Sequence, residues 1–123
     1  MIIAPYDGGF SPAAITLPVV IESVVSGRSA VMGMFVDVLA PQSAIALSVI
    51  DDLGLTLFGE GEVVGSDGQI VSAPAYFATV WVGDRAHWTC VLGYGESSYV
   101  GRDILDQLSV TLDGPNQQIL CST

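Results

Sequence analysis

Short apolar runs alternate with turn-forming clusters along most of this chain, and this alternation constrains the fold more than any other feature. The runs are rich in β-branched and aromatic residues, as strands are, and Gly, Pro, Ser, Asn and Asp separate them. We predict strands at residues 14–25, 30–37, 62–64, 69–71, 76–82, 87–92, 99–100, 110–113 and 118–120. Regularly spaced strands with little helix indicate an all-β fold, either a barrel or a sandwich.

Two segments have helical periodicity instead. Apolar residues recur at helical spacing over residues 44–53, with Ser43 as the expected N-cap and Gly54 where the helix should end. A second, short helix is predicted at residues 104–108, with Asp103 as its N-cap. The fold should therefore contain one or two short helices beside its strands.

Length and charge limit the classes of function. A chain of 123 residues suits a single domain, 1–123, with one modest core. Its net charge of −10, from 13 acidic and 3 basic residues, excludes nucleic acid and anionic membrane surfaces as expected partners. No apolar run is long enough to span a bilayer and no signal peptide is visible, so we expect a cytoplasmic protein that does not bind membranes.

The residues that usually carry metal or nucleophilic chemistry are sparse. His87, the only histidine, lies beside a predicted hairpin turn, where we expect a surface residue. Cys90 and Cys121 are interpreted as reduced thiols, with one disulfide as the alternative. Zinc and calcium patterns are missing, and the Gly-rich stretch at 59–65 lacks the spacing of a dinucleotide site. We therefore expect no metal and no cofactor.

One carboxylate follows the most continuously apolar of the predicted strands. Asp37 comes directly after Phe35 and Val36, and a buried acid is costly unless it is solvated, hydrogen-bonded or used in chemistry. One interpretation is that Asp37 caps the following turn by accepting backbone N–H groups. The other is that Asp37 is catalytic.

The order of motifs around Asp37 resembles the retropepsin-like aspartic protease family. The strand ending at Asp37 is followed by Leu53-Gly54-Leu55, by a Gly-tipped hairpin over residues 62–71, and by Tyr99-Val100-Gly101-Arg102-Asp103-Ile104-Leu105. The last motif matches the family's Gly-Arg-Asp/Asn signature and is the most specific part. The match runs over residues 14–120, nearly the whole chain.

This resemblance implies a closed acid-protease barrel and a homodimer that cleaves a peptide or protein substrate. Each copy would supply one catalytic Asp37, and the two carboxylates would share a proton. The hairpin tip would be a flap over the substrate, formed by Gly65, Ser66, Asp67 and Gly68. Gly101, Arg102 and Asp103 would be the structural motif, in which Arg102 pairs with an acid near Asp37 or across the dimer, with Asp103 and Asp106 as competing local partners.

The loop after Asp37 departs from the family. The family has Asp-Thr-Gly or Asp-Ser-Gly, whereas this chain has Asp37, Val38, Leu39 and then Ala40. Val38 cannot make the hydroxyl bond of the family's Thr across the dimer, and an acceptor left unpaired there costs about 1–3 kcal/mol. Leu39 would be strained if its backbone were left-handed or tightly turned.

Four interpretations follow. The chain is an active dimeric endopeptidase with an atypical loop, or a pseudo-protease that keeps the fold and binds peptide without cutting it. In a third, Val38 and Leu39 are alterations that disable cleavage or change association. In a fourth, the chain is an unrelated β-barrel binding module. The changes at Val38 and Leu39 favour a retropepsin-like half-site whose activity is weak or lost.

Overall fold

Strands make up most of the chain. The computed structural model describes residues 1–65 and 67–122. Its strands are β1 (Ile2–Pro5), β2 (Thr16–Glu22), β3 (Ser29–Val36), β4 (Ala44–Ile45), β5 (Thr56–Val64), β6 (Ile70–Val82), β7 (Arg85–Gly93), β8 (Tyr99–Val100), β9 (Ser109–Asp113) and β10 (Gln118–Ser122). Its helices are α1 (Leu47–Leu53) and α2 (Arg102–Leu105). The predicted all-β fold with short helices is confirmed.

The larger sheet closes on itself. Its strand order is β2-β3-β8-β4-β7-β6-β5, and an additional β2–β6 pairing joins the first strand to the sixth. In β2 the side chains alternate, so that Leu17, Val19 and Ile21 are buried while their neighbours face outward. These residues belong to one continuous core that includes Met34, Val80 and residues from both helices. Closure into a ring therefore gives the apolar alternate positions a shared interior.

A second sheet joins the two ends of the chain. Its order is β1-β10-β9, and Ile2 of β1 pairs with Cys121 of β10. The hairpin of β9 and β10 was predicted, whereas β1 was not, since four residues that end in Pro5 give little strand signal of their own. Ile119 and Cys121 are buried by this pairing. The small sheet thus adds to the core around β10.

The predicted first strand is too long at its end. β2 stops at Glu22, and Val24 and Val25 lie in the turn that follows, where they are 65% and 78% exposed. The Ser23 N–H bonds to the carbonyl of Arg28, and the Gly27 N–H bonds to the carbonyl of Ser23. Backbone hydrogen bonding in the turn therefore overrides the strand preference of the two valines.

Both predicted helix N-caps are wrong. Residues 44–45 form β4, which pairs with β7, and α1 begins only at Leu47. The N-terminal boundary of α1 is Ala46, and Ser43 makes its bonds elsewhere. Helix α2 begins at Arg102 after Gly101, so Asp103 lies inside its first turn. Gly54 ends α1 in the left-handed conformation, as predicted.

Other parts of the barrel also depart from expectation. The predicted hairpin at 62–71 extends over β5 and β6 from the pair Thr56 and Phe77 to the pair Val64 and Ile70. His87 is buried rather than exposed, because its place in the pleat of β7 turns it toward Val80 of β6. Cys90 and Cys121 are free thiols. Within the described residues, neither helix is long and apolar enough to cross a membrane.

Candidate active site

Asp37 leaves the barrel at the end of β3. Val36, the last residue of β3, pairs in parallel with Val100 of β8, and the Asp37 N–H donates to the Val100 carbonyl over 3.0 Å. The sheet thus holds the backbone of Asp37 although the strand has ended. The side chain of Asp37 is half-buried, between a fully buried Val100 and an exposed turn.

The Asp37 carboxylate stabilises its own loop through one oxygen. Oδ1 accepts hydrogen bonds from the backbone N–H groups of Leu39 at 3.0 Å and Ala40 at 3.2 Å. No hydrogen bond to Oδ2 is found within residues 1–65 and 67–122. Oδ1 therefore caps the turn, as one of the two interpretations predicts. Oδ2 remains available to a water molecule or a second carboxylate.

The two residues that replace the Thr-Gly of the resembled motif face solvent. Val38 is 62% exposed and Leu39 is 89% exposed, while Ala40 is half-buried. Among the described residues, Gln117 is the one non-glycine with a positive φ, so the backbone at Leu39 is not left-handed. Leu39 lies in the turn after Asp37 but escapes the penalty of a left-handed backbone, and it brings bulk and apolar surface to the site.

The backbone around Gly101 holds the Asp37 loop in place through hydrogen bonds and a close contact. The Arg102 N–H donates to the Ala40 carbonyl at 2.8 Å, and the Asp103 N–H donates to the Pro41 carbonyl at 3.2 Å. A Cβ at Gly101 would lie 2.8 Å from the Ala40 oxygen and 2.9 Å from the Gln42 oxygen. Glycine is required there because the two backbones touch.

Asp103 anchors three elements beside the loop. Its carboxylate accepts bonds from the Ser43 hydroxyl at 2.7 Å, the Thr89 hydroxyl at 3.2 Å and the Ile104 N–H at 3.1 Å. These bonds join the segment after Asp37, strand β7 and helix α2. Sequence reasoning missed Ser43 and Thr89, since nothing local marks partners that lie so far from Asp103 along the chain.

Arg102 is on the surface. Its guanidinium pairs with Asp106, one helical turn away, at 3.2 Å, and both side chains are more than half exposed. Of the two competing local partners predicted for Arg102, Asp106 is the one observed, and an exposed pair of this kind contributes about 0–1 kcal/mol. Within residues 1–65 and 67–122, no ion pair joins Arg102 to an acid near Asp37.

The hairpin tip is closed by its own backbone. The Gly65 N–H donates to the Gln69 carbonyl at 2.8 Å, the Gly68 N–H donates to the Gly65 carbonyl, and Asp67 Oδ1 accepts the Gln69 N–H. Gly68 has a φ of +81°, which explains the glycine at that position. Ser66, the remaining residue of the predicted flap, lies outside the described residues.

The hairpin and the Asp37 loop rest on the same segment. A Cβ at Gly61 of β5 would lie 2.5 Å from Leu92 of β7 and 3.5 Å from Gln42. The Gln42 side chain in turn donates to the Cys90 carbonyl at 2.7 Å. Residues 40–43, which continue the Asp37 loop, therefore lie between the hairpin and the Gly101 segment.

The site offers carboxylate chemistry without ligands for a metal ion. In the part of the chain that the structure describes, no group of three or more His, Cys, Asp or Glu side chains could hold one. The site consists of one half-buried carboxylate, an apolar loop and a long hairpin.

Comparison with known proteins supports this architecture. No protein-family model matches the sequence, and no curated protein matches it. The fold is similar to that of the EIAV protease, solved in complex with the inhibitor HBY-793, with a TM-score of 0.63, 20% identity and coverage of 76% of this chain and 86% of that chain. It is also similar to a retropepsin-like aspartic protease from Rickettsia conorii, with a TM-score of 0.58, 17% identity and coverage of 97% of both chains. The chain has the retropepsin-like fold.

The retropepsin-like fold explains why three distant segments meet here. Asp37 ends one strand, the β5–β6 hairpin follows it, and Gly101 begins the short helix that supports the loop. The resemblance inferred from the order of motifs is thereby confirmed at the level of the fold.

Proposed function

We propose that this chain is one half of a homodimeric aspartic endopeptidase that acts on peptide or protein substrates. Val38 and Leu39 lower its turnover below that of an Asp-Thr-Gly loop. Two observations support the proposal: the chain shares its fold with two proteases, and Asp37 lies at the end of a core strand.

The proposal rests mainly on the hydrogen bonds that hold the Asp37 carboxylate. Two backbone N–H groups fix Oδ1, and the Gly101 segment fixes the loop, so the direction of the carboxylate is set before any substrate binds. Preorganised groups contribute to catalysis because no reorganisation is needed during the reaction.

Catalysis in the dimer would use one Asp37 from each copy. Two carboxylates held close together cannot both ionise, so they share a proton. The ionised carboxyl removes a proton from a water molecule as the water attacks the peptide carbonyl carbon. The protonated carboxyl donates its proton to the carbonyl oxygen, which gives a tetrahedral diol. The carboxyl that took the water proton then protonates the amide nitrogen as the C–N bond breaks, and the other carboxyl takes a proton back from a diol hydroxyl.

Val38 and Leu39 are the reason to expect slow turnover. Val38 has no hydroxyl with which to bond a second copy of the loop. Leu39 places a branched side chain, 89% exposed in the single chain, where the family has glycine. Beside a two-fold axis these side chains would take the space that water and substrate need.

A second function is favoured by the same exposed residues. If Val38 and Leu39 pack against a second copy and fill the space above Asp37, the chain binds peptide or dimerises without cleaving. This is the pseudo-protease interpretation, and it uses the same fold and the same loop.

Cleavage of a denatured protein mixture at acidic and neutral pH tests the proposal. The key variant is Asp37→Asn, and the matched control is Asp84→Asn, which removes the same charge from an exposed turn. We expect weak cleavage that pepstatin inhibits, that Asp37→Asn abolishes and that Asp84→Asn leaves unchanged. Analytical ultracentrifugation should show a dimer at the concentrations where cleavage occurs.

The other outcomes are equally informative. Cleavage that survives Asp37→Asn contradicts the carboxylate mechanism. A strict monomer at high concentration contradicts the half-site. A dimer that binds peptides but never cleaves them establishes the pseudo-protease instead.

A further inference from the structure

A second concave site lies on the barrel wall formed by β6 and β7. Its volume is about 620 Å³, which is within the range of small-molecule sites. Its lining comprises Val24, Val25, Thr56, Phe77, Ala78, Thr79, Trp88, Thr89 and Cys90. We call it the Trp88 groove. None of its described lining residues belongs to the Asp37 loop or the hairpin tip.

Strand register builds the floor of the Trp88 groove. Phe77 and Thr79 of β6 pair directly with Cys90 and Trp88 of β7. Directly paired side chains lie on the same face of a sheet, so these four form a rectangular array on one surface. The opposite face of β6 carries Val80 and the rest of the core.

The walls come from neighbouring elements. Thr56 of β5 pairs with Phe77 on one side of the array, and the turn after β2 raises Val24 and Val25 on another. Both valines are more than half exposed. The groove therefore spans the base of the β5–β6 hairpin, the barrel wall and a turn.

The register of β6 and β7 places two large aromatic side chains on the outer face of the barrel. Trp88 is 82% exposed and Phe77 is 47% exposed. Exposed apolar side chains that adjoin one another on a concave surface commonly mark binding sites. Tryptophan is also among the side chains that contribute most to binding when they are covered.

Thr79 provides an unused polar group in the floor. It is only 3% exposed, and it shares the groove face with Phe77. The side-chain hydrogen bonds nearby join Trp81 to Glu22 and Thr89 to Asp103, and none within residues 1–65 and 67–122 uses the Thr79 hydroxyl. The Thr79 oxygen is not among the buried polar atoms that lack a partner in the described residues, so it is within reach of solvent and a bound ligand can hydrogen-bond to it.

The charge of the lining and of the whole chain limits which ligands fit the groove. Every lining residue is uncharged, whereas the chain as a whole carries a net charge of −10. The field of the protein repels anions, and no lining residue supplies a carboxylate to a cation; the Glu22 carboxylate, at the position paired with Thr79, accepts the Trp81 indole N–H. The occupant that fits is neutral, mainly apolar, and equipped with one hydrogen-bonding group.

We infer that the Trp88 groove binds a neutral aromatic small molecule, which packs on Trp88 and Phe77 and hydrogen-bonds to the Thr79 hydroxyl. The site needs neither Asp37 nor a dimer. It stands independently of the proposed protease function.

Two fluorescent probes that differ by one charged group test the inference. N-phenyl-1-naphthylamine is neutral and has an amine N–H. 1-Anilinonaphthalene-8-sulfonate has the same aromatic body plus a sulfonate. We expect saturable binding of the neutral probe with one site per chain, and binding of the sulfonate that is weaker by about tenfold or more.

Variants locate the site. Trp88→Ser should weaken binding of the neutral probe by about tenfold or more, and Thr79→Val, which removes the hydroxyl at similar volume, by about threefold to tenfold. Val31→Ser is the matched control, because Val31 is also 82% exposed but lies on β3 outside the groove. Circular dichroism and the unfolding midpoint check that each variant folds.

Several results would overturn the inference. Binding that neither Trp88→Ser nor Thr79→Val weakens, or that Val31→Ser weakens equally, places the probe elsewhere. Equal affinity for the sulfonate removes the charge argument. If the neutral probe binds only at concentrations where the chain is monomeric, and Trp88→Ser prevents association, the groove is an interface between copies. Asp37→Asn should bind the probe normally, so the two proposals fail separately.

Discussion

The Ser43 hydroxyl donates a hydrogen bond of 2.7 Å to the Asp103 carboxylate and accepts one of 2.9 Å from the Gly101 N–H. Ser43 is fully buried, so water cannot replace either bond. The loop that carries Asp37 and the turn that begins α2 are thereby joined through one side chain. These two hydrogen bonds act together with the close backbone contact at Gly101 to hold the Asp37 loop against the start of α2.

Replacing Ser43 should therefore destabilise the fold. Ser43→Ala leaves the buried Gly101 N–H without a partner and removes one of the two hydrogen bonds to Asp103 Oδ1, so the free energy of unfolding should fall by about 1–3 kcal/mol. Urea denaturation followed by circular dichroism measures the change. Ser72→Ala is the control, since the Ser72 hydroxyl is exposed and makes a longer bond of 3.3 Å to Glu60. Equal losses in the two variants would contradict the role given to Ser43.

Gly101 should tolerate no side chain. Gly101→Ala places a Cβ 2.8 Å from the Ala40 oxygen, and since that neighbour is backbone, the loop must shift. We expect a loss of about 1–3 kcal/mol or more in the free energy of unfolding. Gly114→Ala is the matched control, because no atom lies within 4 Å of the Cβ it would add. A neutral Gly101→Ala variant would show that the backbone contact is loose.

Local patterns were sufficient for most of the longer strands and for the position of Asp37 after β3, because both depend on nearby sequence. They were insufficient for Ser43. Its place before an apolar helical pattern favoured an N-cap, but the half-buried Asp103 carboxylate and the buried Gly101 N–H, distant along the chain, are its partners instead. Capping rules describe local competition, and a distant acceptor in the fold can override them.

The side chains of β7 show the same limit. His87 and Trp88 are neighbours in sequence, yet His87 is 4% exposed and Trp88 is 82% exposed. Only the register with β6 determines which of the two faces the core, and a shift of one residue would exchange them. The pairing of β6 and β7 is therefore what places a polar ring in the core and an apolar one in water.

His87 should be replaceable with a gain in stability. Its Nε2 is buried without a hydrogen-bond partner in the described structure. His87→Leu removes that polar atom at similar size, so the free energy of unfolding should rise by about 1 kcal/mol. His87→Gln keeps a buried polar group and should give no gain. Chemical denaturation at neutral pH distinguishes the two, and a loss with His87→Leu would show that Nε2 has a partner after all.

Asp113 should titrate lower than an ordinary aspartate because of its turn. The Asn116 side chain donates to its carboxylate at 2.8 Å, and this bond is the main reason that the pKa of Asp113 is lowered from 3.8. A lowered folded-state pKa adds stability that is present above the unfolded pKa and is lost as pH falls through the folded pKa. Asn116→Ala should therefore raise the pKa of Asp113, as followed by NMR titration. Gln118→Ala, which removes a longer bond of 3.4 Å, should raise it less.

Restoring the Asp-Thr-Gly loop should raise proteolytic activity. The double variant Val38→Thr with Leu39→Gly returns a hydroxyl to the loop and removes the side chain that is 89% exposed beside Asp37. The backbone at Leu39 is not left-handed, so we attribute the expected gain to space and to the added hydrogen bond. We expect kcat/KM on a denatured protein substrate to rise by about tenfold or more.

Adding Asp37→Asn to the double variant should abolish the gain, and Leu112→Gly, at an exposed strand position outside the loop, should leave cleavage unchanged. A double variant that dimerises but cleaves no better than the parent would show that Val38 and Leu39 do not limit turnover.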